Sequence, residues 1–535
     1  MVKHQVSAVP ICAPMSGQIH RRDLMRWALL GAGTAPLAAF LASCSDQGGG
    51  AAPGSTAGST TAPSSTLAST LPATTAPATT APFDPSTPWW LQGNYAPVMN
   101  EVESFDLEVR GALPSELTGL YVKNGSNPPR ADSPHWFFGD GMVHGVSLRN
   151  GTAEWYRNRY VQTQPYLAGV GFGKGAPGGE GNQSNVSTIW HGGRLLSSGE
   201  VGFPYELDPA TLDTLGTYTY GGALTGSYTA HPKLDPRTGK LHAFGYGFTD
   251  PLLSYYVIEP DGTMSRNEPV SIPRSTMIHD FQITETDAVF WDLPVVFDLD
   301  MAIVWIQDPV NNPLPYIWQP EAGARVGVMP LAGGADSIQW FDIDPCYVFH
   351  SVNAFRRGDE VIVDVCRMDS MFATEGEGIG GGSNSALVRW TANTATGTIT
   401  QDVLETDNPG DLPGRDPRRV GTEHRYGYLT GTRENPDTVE LGGIIKHDFA
   451  NGTREMWDPG ATRHASEPLF LPGDTSDTAD DAGWLLSFVH DDATDQTVLA
   501  VLDATAVTAG PVAEVVMPQR VPYGFHATWV PYPDA

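Results

Sequence analysis

Basic residues are scarce in this 535-residue chain: 31 lysines and arginines stand against 61 aspartates and glutamates, a formal net charge of −30. A surface of that sign repels a phosphate backbone, which argues against nucleic acid as a partner. Cysteine is scarcer still. The four present, Cys12, Cys44, Cys346 and Cys366, are too few for a disulfide-built scaffold, and the absence of a CxxC pair removes thiolate zinc. Cys346 and Cys366 are compatible either with a disulfide or with two buried thiols. There is no HExxH helix and no flavin, haem or nicotinamide motif, so no organic cofactor is expected.

Long hydrophobic runs are also missing, with one exception near the start. Residues 21–44, "RRDLMRWALLGAGTAPLAAFLASC", set paired Arg21 and Arg22 before an apolar stretch weakened by glycine and proline. This is the organisation of an export signal, and the arginine pair resembles the twin-arginine type. Leu41-Ala42-Ser43-Cys44 resembles a lipoprotein box, which predicts an exported, extracytoplasmic protein lipid-anchored through Cys44, with simple secretion as the alternative. Residues 45–83 are almost entirely Gly, Ala, Ser, Thr and Pro. They lack the apolar surface that offsets ordering entropy, and are expected to form a disordered tether. Three segments result: a signal over 1–44, a linker over 45–83 and a catalytic domain over 84–535.

From Trp89 onward, short runs rich in Val, Tyr, Phe, Trp and Ile are broken by polar turns, as in "RRGDEVIVDVCRM" and "DDATDQTVLAVLD". The helices that a βαβ chain needs are not there, so the domain reads as all-β, either serial sandwiches or a propeller. "ELDPATLDTLGTY" and "KLDPRTGKLHAFGY" look like one recurring hairpin and favour the propeller. The stretches 161–184, 296–322 and 368–384 are less regular and suit loops or short helices over one face.

Four of the fourteen histidines stand beside strand-like or turn sequence: His231 in "YTAHPKLDP", His279 in "MIHDFQIT", His350 in "YVFHSVNAF" and His526 in "VPYGFHATW". Taken singly, each reads as an ordinary core or surface residue. They lie too far apart for a local motif, so a shared metal site has to be assembled by the fold, and converging propeller strands can do that. A ligating imidazole usually passes its other N–H to a carboxylate. Glu200 in "LLSSGEVGFP" and Glu467 in "HASEPLFLP" have surroundings in which a lone carboxylate is costly. Exposure at a turn is the competing reading for both. Asp280 follows His279 and so points to the opposite face; it is expected to fix the turn or the rim.

Several segments together, "GLYVKNGSNPP" (119–129), "HWFFGDGMVHGV" (135–146), "AHPKLDPRTGKLHAFGY" (230–246), "IHDFQITETDAVFWDLPVVFD" (278–298), "FHSVNAF" (349–355), "EPLFLP" (467–472) and "VPYGFHATWVP" (521–531), resemble the ordered signatures of the carotenoid cleavage oxygenase family. That family includes stilbene-cleaving dioxygenases and the retinoid isomerohydrolase of the eye. The resemblance implies a seven-bladed β-propeller capped by a dome of loops and short helices. It also implies Fe(2+) held by His231, His279, His350 and His526, with Glu200 and Glu467 orienting imidazoles. A third orienting carboxylate is usually a glutamate. Here "PGDLPGRDPRR" offers Asp411, one methylene shorter, so either the backbone shifts to bring it in or its histidine is oriented by something else.

The activity implied is oxidative cleavage by O2 of a conjugated double bond in an apolar small molecule, a carotenoid or apocarotenoid. Trp136, Phe137, Phe138, Tyr160, Tyr166, Trp291, Phe297 and Trp318 are candidates for a substrate tunnel, each with core packing as the plainer role. An apolar tunnel mouth and a lipid on Cys44 together imply peripheral membrane association, for a monomer or weak oligomer. Cleavage of a phenolic stilbene is the competing chemistry; Tyr166 suits it, but "GGEGNQSNVSTIW" lacks the lysine that accompanies such a tyrosine. A propeller that binds without catalysis would have shed one of the four histidines, and all four are in place.

Overall fold

A computed structural model of the protein describes residues 84–532 except 85, 131–132, 172–178, 180, 309–311, 313, 373–384, 434–439 and 474–478. The signal and tether over 1–83, and nearly all of the glycine-rich stretch from 373, lie outside the described residues.

Seven antiparallel sheets of four to six strands form a β-propeller, and an eighth sheet, Val295–Phe297 paired with Tyr316–Trp318, stands apart from them. Blade one contains Gly119–Ser126, Gly141–Arg149 and Thr152–Tyr160; blade two runs from Ser187–His191 to Thr214–Thr217 and blade three from Lys233–Leu234 to Met264–Pro269. Blade four runs from Gln282–Ile283 to Gln339–Ile343, blade five from Tyr347–Arg357 to Thr398–Glu405, and blade six from Asp411–Gly414 to Thr453–Trp457. Blade seven starts with Arg463–Ala465 and Leu469–Pro472 and continues to Pro511–Val516.

The ring is closed twice. The last strand, Ala527–Pro531, pairs with Gly119–Ser126 and so puts the C-terminal strand into blade one. Near the start of the domain, Glu103–Phe105 joins the outer edge of blade one and Val109–Gly111 that of blade seven.

Burial follows strand position. The middle strands Leu241–Tyr246, Leu253–Ile258 and Asp287–Asp292 are buried at every residue, because blades pack against both of their faces. The outer strand Met264–Pro269 alternates strictly between half-buried and exposed residues, as a strand with one wet face does. Asn150-Gly151 and Gly192-Gly193 turn their hairpins with positive φ at both residues, 48° and 77°, and 57° and 73°, which matches the right-handed twist of the flanking strands. The largest core cluster spans blades three to five, where Trp291 meets Trp390 at 6.1 Å between ring centroids.

The two hairpins that looked like one repeat are different parts of their blades. "ELDPATLDTLGTY" makes the third and fourth strands of blade two, whereas "KLDPRTGKLHAFGY" makes the first and second of blade three. Their similarity is turn chemistry, an aspartate accepting from nearby backbone N–H groups, and not blade periodicity. The irregular stretches do contain short helices, Gln164–Ala168 and Leu299–Gln307, the latter capped by the Asp298 carboxylate accepting from the Met301 N–H at 2.8 Å. Among the described residues no helix is long and apolar enough to cross a membrane. Cys346 and Cys366 are both buried free thiols.

Candidate metal centre

Each of the seven blades sends one chemically active side chain to the hub. His526 lies immediately before the closing strand of blade one, His231 and His279 just before the first strands of blades three and four, and His350 within the first strand of blade five. Glu200 follows the second strand of blade two, Asp411 opens blade six, and Glu467 lies between the two short first strands of blade seven.

One ring nitrogen from each of the four histidines falls within 4.8 Å of the other three, and among the described residues this is the one cluster of three or more metal-ligating side chains. The Nε2 atoms of His231 and His279 are 2.9 Å apart. Two nitrogens bound to one metal at about 2.1 Å and at right angles stand about 3 Å apart, so this spacing suits a shared ion. The Nε2 of His350 is buried with no hydrogen-bond partner, an arrangement that is costly unless something binds it.

The outward-facing nitrogens are occupied. Nδ1–H of His279 donates to Glu200 at 3.1 Å, that of His350 to Asp411 at 2.8 Å and that of His526 to Glu467 at 2.8 Å. An ionised carboxylate only accepts, which places the proton on Nδ1 and leaves Nε2 with its lone pair free to bind a metal. Among the described residues His231 has no carboxylate partner. Burial, with the neighbouring imidazoles, holds His231 well below the usual imidazole range, and burial, opposed by Glu467, lowers His526. Burial acts on His350 too, but Asp411 outweighs it and the net displacement is upward. The donor set is therefore nitrogen-rich and convergent, as a transition metal requires.

Asp411 reaches its histidine in spite of the missing methylene, and the backbone supplies the difference. Pairing with the next strand slips between Asp411 and Gly414, and the flanking Gly410 and Leu412 both adopt positive φ, 80° and 51°. A leucine rarely takes that conformation; here it turns the Asp411 carboxylate inward to accept also from the Leu412 N–H and the Cys366 thiol. Glu200 is fixed by the Tyr246 hydroxyl, which donates at 2.5 Å, and Glu467 by the Ala527 N–H at 2.6 Å.

The segment that carries Glu467 is anchored in turn by His464, whose Nδ1 bonds the Leu441 carbonyl and whose Nε2 bonds Asp492, each at 2.8 Å, with Glu440 and His490 also facing the pair. Burial lowers His464, but Asp492 and the carbonyl outweigh it and raise it above its ordinary value. A raised histidine stabilises the fold fully below its unfolded value near 6.5 and loses that contribution as pH climbs through the folded value. His464→Gln should therefore destabilise by about 1.5–3 kcal/mol at pH 6, the range for hydrogen bonds to charged groups, and by clearly less at pH 9, as thermal melts at the two pH values will read.

Aromatic rings wall the centre. Phe349 stands 5.2 Å from the His279 ring, Phe137 packs on Phe349 at 6.1 Å, and Trp136 packs on Phe525, beside His526, at 4.7 Å. Phe297 stacks on Phe248 at 4.0 Å and meets Tyr316, and Phe138 packs on Trp305 of the second helix. Trp291 is propeller core, and Tyr160 and Tyr166 stack on each other in a satellite cluster with Val98 and Met142. Phe248, Trp305, Tyr316, Phe349 and Phe525 were not among the sequence candidates; Phe349 and Phe525 each adjoin a candidate ligand in sequence, and that adjacency was the available signal.

The family model described as retinal pigment epithelial membrane protein matches residues 95–531. The chain is 38% identical to a carotenoid cleavage oxygenase of Mycobacterium tuberculosis, over 83% of its own length and 97% of the relative's. It is 35% identical to a carotenoid 9,10(9',10')-cleavage dioxygenase of Arabidopsis thaliana, over 82% and 89%. Among solved structures, the lignostilbene dioxygenase of Pseudomonas brassicacearum superposes with a TM-score of 0.75 at 28% identity, covering 83% of this chain and 99% of that one. A variant of the Synechocystis apocarotenoid oxygenase gives 0.73 at 25% identity, covering 83% and 98%. Matched along nearly the whole propeller in sequence and in fold, the chain belongs to the carotenoid cleavage oxygenase family.

Proposed function

We propose that the protein is a non-haem iron(II) dioxygenase that cleaves a conjugated C=C bond of a carotenoid or apocarotenoid into two carbonyl products. His231, His279, His350 and His526 hold the iron, and Glu200, Asp411 and Glu467 orient three of them. The observation that carries this reading is the convergence of four imidazole nitrogens within 4.8 Å, three of them backed by carboxylates. Ferrous iron, when bound, would supply O2 activation, and four imidazole ligands would leave coordination positions for it.

The chain's own residues do the rest. The three carboxylates keep the proton of each bonded imidazole on Nδ1, so Nε2 stays free to ligate. Phe137, Phe349 and Phe525 present an apolar wall that suits a polyene and excludes water. Both atoms of O2 end in the two carbonyl groups and the alkene supplies the electrons, so no external reductant is required.

Stilbene cleavage is the second reading, favoured by the structural likeness to lignostilbene dioxygenase. Against it, Tyr166 is taken up in stacking on Tyr160. Iron-loaded protein incubated under oxygen with carotenoids, apocarotenals and stilbenes, with the carbonyl products identified by mass, separates the two. An aldehyde pair from an apocarotenoid is expected, and turnover confined to stilbenes would overturn the choice.

A further inference from the structure

Beneath the four histidines lies a second set of contacts made by their sequence neighbours. Asp280 follows His279, Ser351 follows His350, and Lys233 stands two residues after His231. All three are buried, Lys233 at 5% exposure and Asp280 at 1%. One Asp280 oxygen accepts from Lys233 Nζ at 2.6 Å and from the Phe281 N–H at 2.8 Å. The other accepts from the Ser351 N–H at 3.0 Å and from the Ser351 hydroxyl. Every acceptor position on this buried carboxylate is thereby used.

The Ser351 contact falls at an irregularity. Pairing of Tyr347–Arg357 with Glu360–Met368 slips between Val348 and Ser351, the interval that holds His350, and again between Ser351 and Asn353. A slipped ladder leaves backbone groups in need of partners, and the Asp280 carboxylate takes the Ser351 N–H. Lys233 anchors the other side. His231 is the one candidate ligand without a carboxylate of its own, so its placement depends on the backbone that carries it, and Lys233 ties that backbone to Asp280.

We propose that Asp280 is a positioning residue for the metal centre, a single carboxylate that joins the segments carrying His231, His279 and His350 through Lys233, its own backbone and Ser351. The inference rests on the reading of these histidines as metal ligands. Asp280 fixes the angles between three ligands from beneath them, as Glu200, Asp411 and Glu467 fix individual rings from behind. Its adjacency to His279 matters because alternate side chains on an extended segment face opposite ways: the histidine faces the ion and the aspartate faces the neighbouring blade.

The test is cobalt(II) titration of the full propeller, followed by its visible ligand-field absorption, with thermal melting in parallel. Asp280→Asn and Lys233→Met should each weaken cobalt binding by about tenfold to a hundredfold, the range found for groups that orient ligands, and should alter the shape of the absorption. Lys233→Met combined with Asp280→Leu removes both charges together; it should recover melting temperature without recovering affinity, which a merely charge-balancing role does not predict. Wild-type affinity and spectrum in Asp280→Asn would overturn the proposal. If that variant does not accumulate as folded protein, Ser351→Ala decides, since unchanged cobalt affinity there overturns it as well. Wild-type protein that takes up neither cobalt nor ferrous iron would instead remove the metal reading itself.

Discussion

Replacing His279 with alanine is expected to bring iron content to background and to lower kcat/KM by about 10³-fold or more, equivalent to about 4 kcal/mol of transition-state stabilisation. Two losses combine. One of four neutral donors disappears, and its Nε2 is the one that stands 2.9 Å from that of His231, so the remaining nitrogens lose the partner that fixes the near edge of the cluster. Glu200, deprived of its imidazole, keeps only the Tyr246 hydroxyl and faces the cavity as an under-satisfied carboxylate. Metal analysis after mild purification, beside turnover, checks this; a stoichiometry equal to wild type would refute the assignment of His279.

The second large effect is expected from one methyl group. A Cβ on Gly414 would lie 1.9 Å from the Pro468 carbonyl oxygen and 3.1 Å from its carbon, both backbone atoms with no side chain to swing aside. Gly414 follows Asp411 on blade six and Pro468 follows Glu467 on blade seven, so the contact sets the distance between two carboxylates that orient His350 and His526. Gly414→Ala should destabilise the fold by about 3 kcal/mol, the upper end of ordinary overpacking, and weaken metal binding about tenfold because two ligands are misaimed together. Gly171→Ala is the matched control: a Cβ there meets nothing within 4 Å, and both readouts should stay at wild-type values. Equal behaviour of the two variants in denaturant melts and metal titration would show that the close approach has no such role.

The four histidines were legible only through the resemblance of their segments, taken together, to those of the family; singly, each reads as an ordinary core or surface residue. For Glu200 and Glu467 the apolar surroundings were a hint, exposure at a turn competed with it, and the resemblance decided between them. Asp411 was named with its difficulty, and the difficulty is resolved by a ladder slip and a left-handed Leu412, features that depend on the facing strand and leave no trace in local sequence. Asp280 was expected at a turn or rim and is instead fully buried, since its role is set by Lys233 and Ser351 in other blades. The mistaken repeat has a similar origin: hairpin turns draw on the same few residues whether they join inner or outer strands, so turn similarity does not report position within a blade.

The closing strand begins at the residue after His526, so the last ligand to leave the ribosome also starts the strand that completes the ring. Until it docks, blades one and seven are joined only at their outer edges, through Glu103–Phe105 and Val109–Gly111, and the inner seam of the ring is open. Once it docks, a metal held by the four histidines would couple the non-adjacent blades one, three, four and five directly. Loosening any of the four would then release the ion and make metal affinity a contribution to the cooperativity of the entire ring.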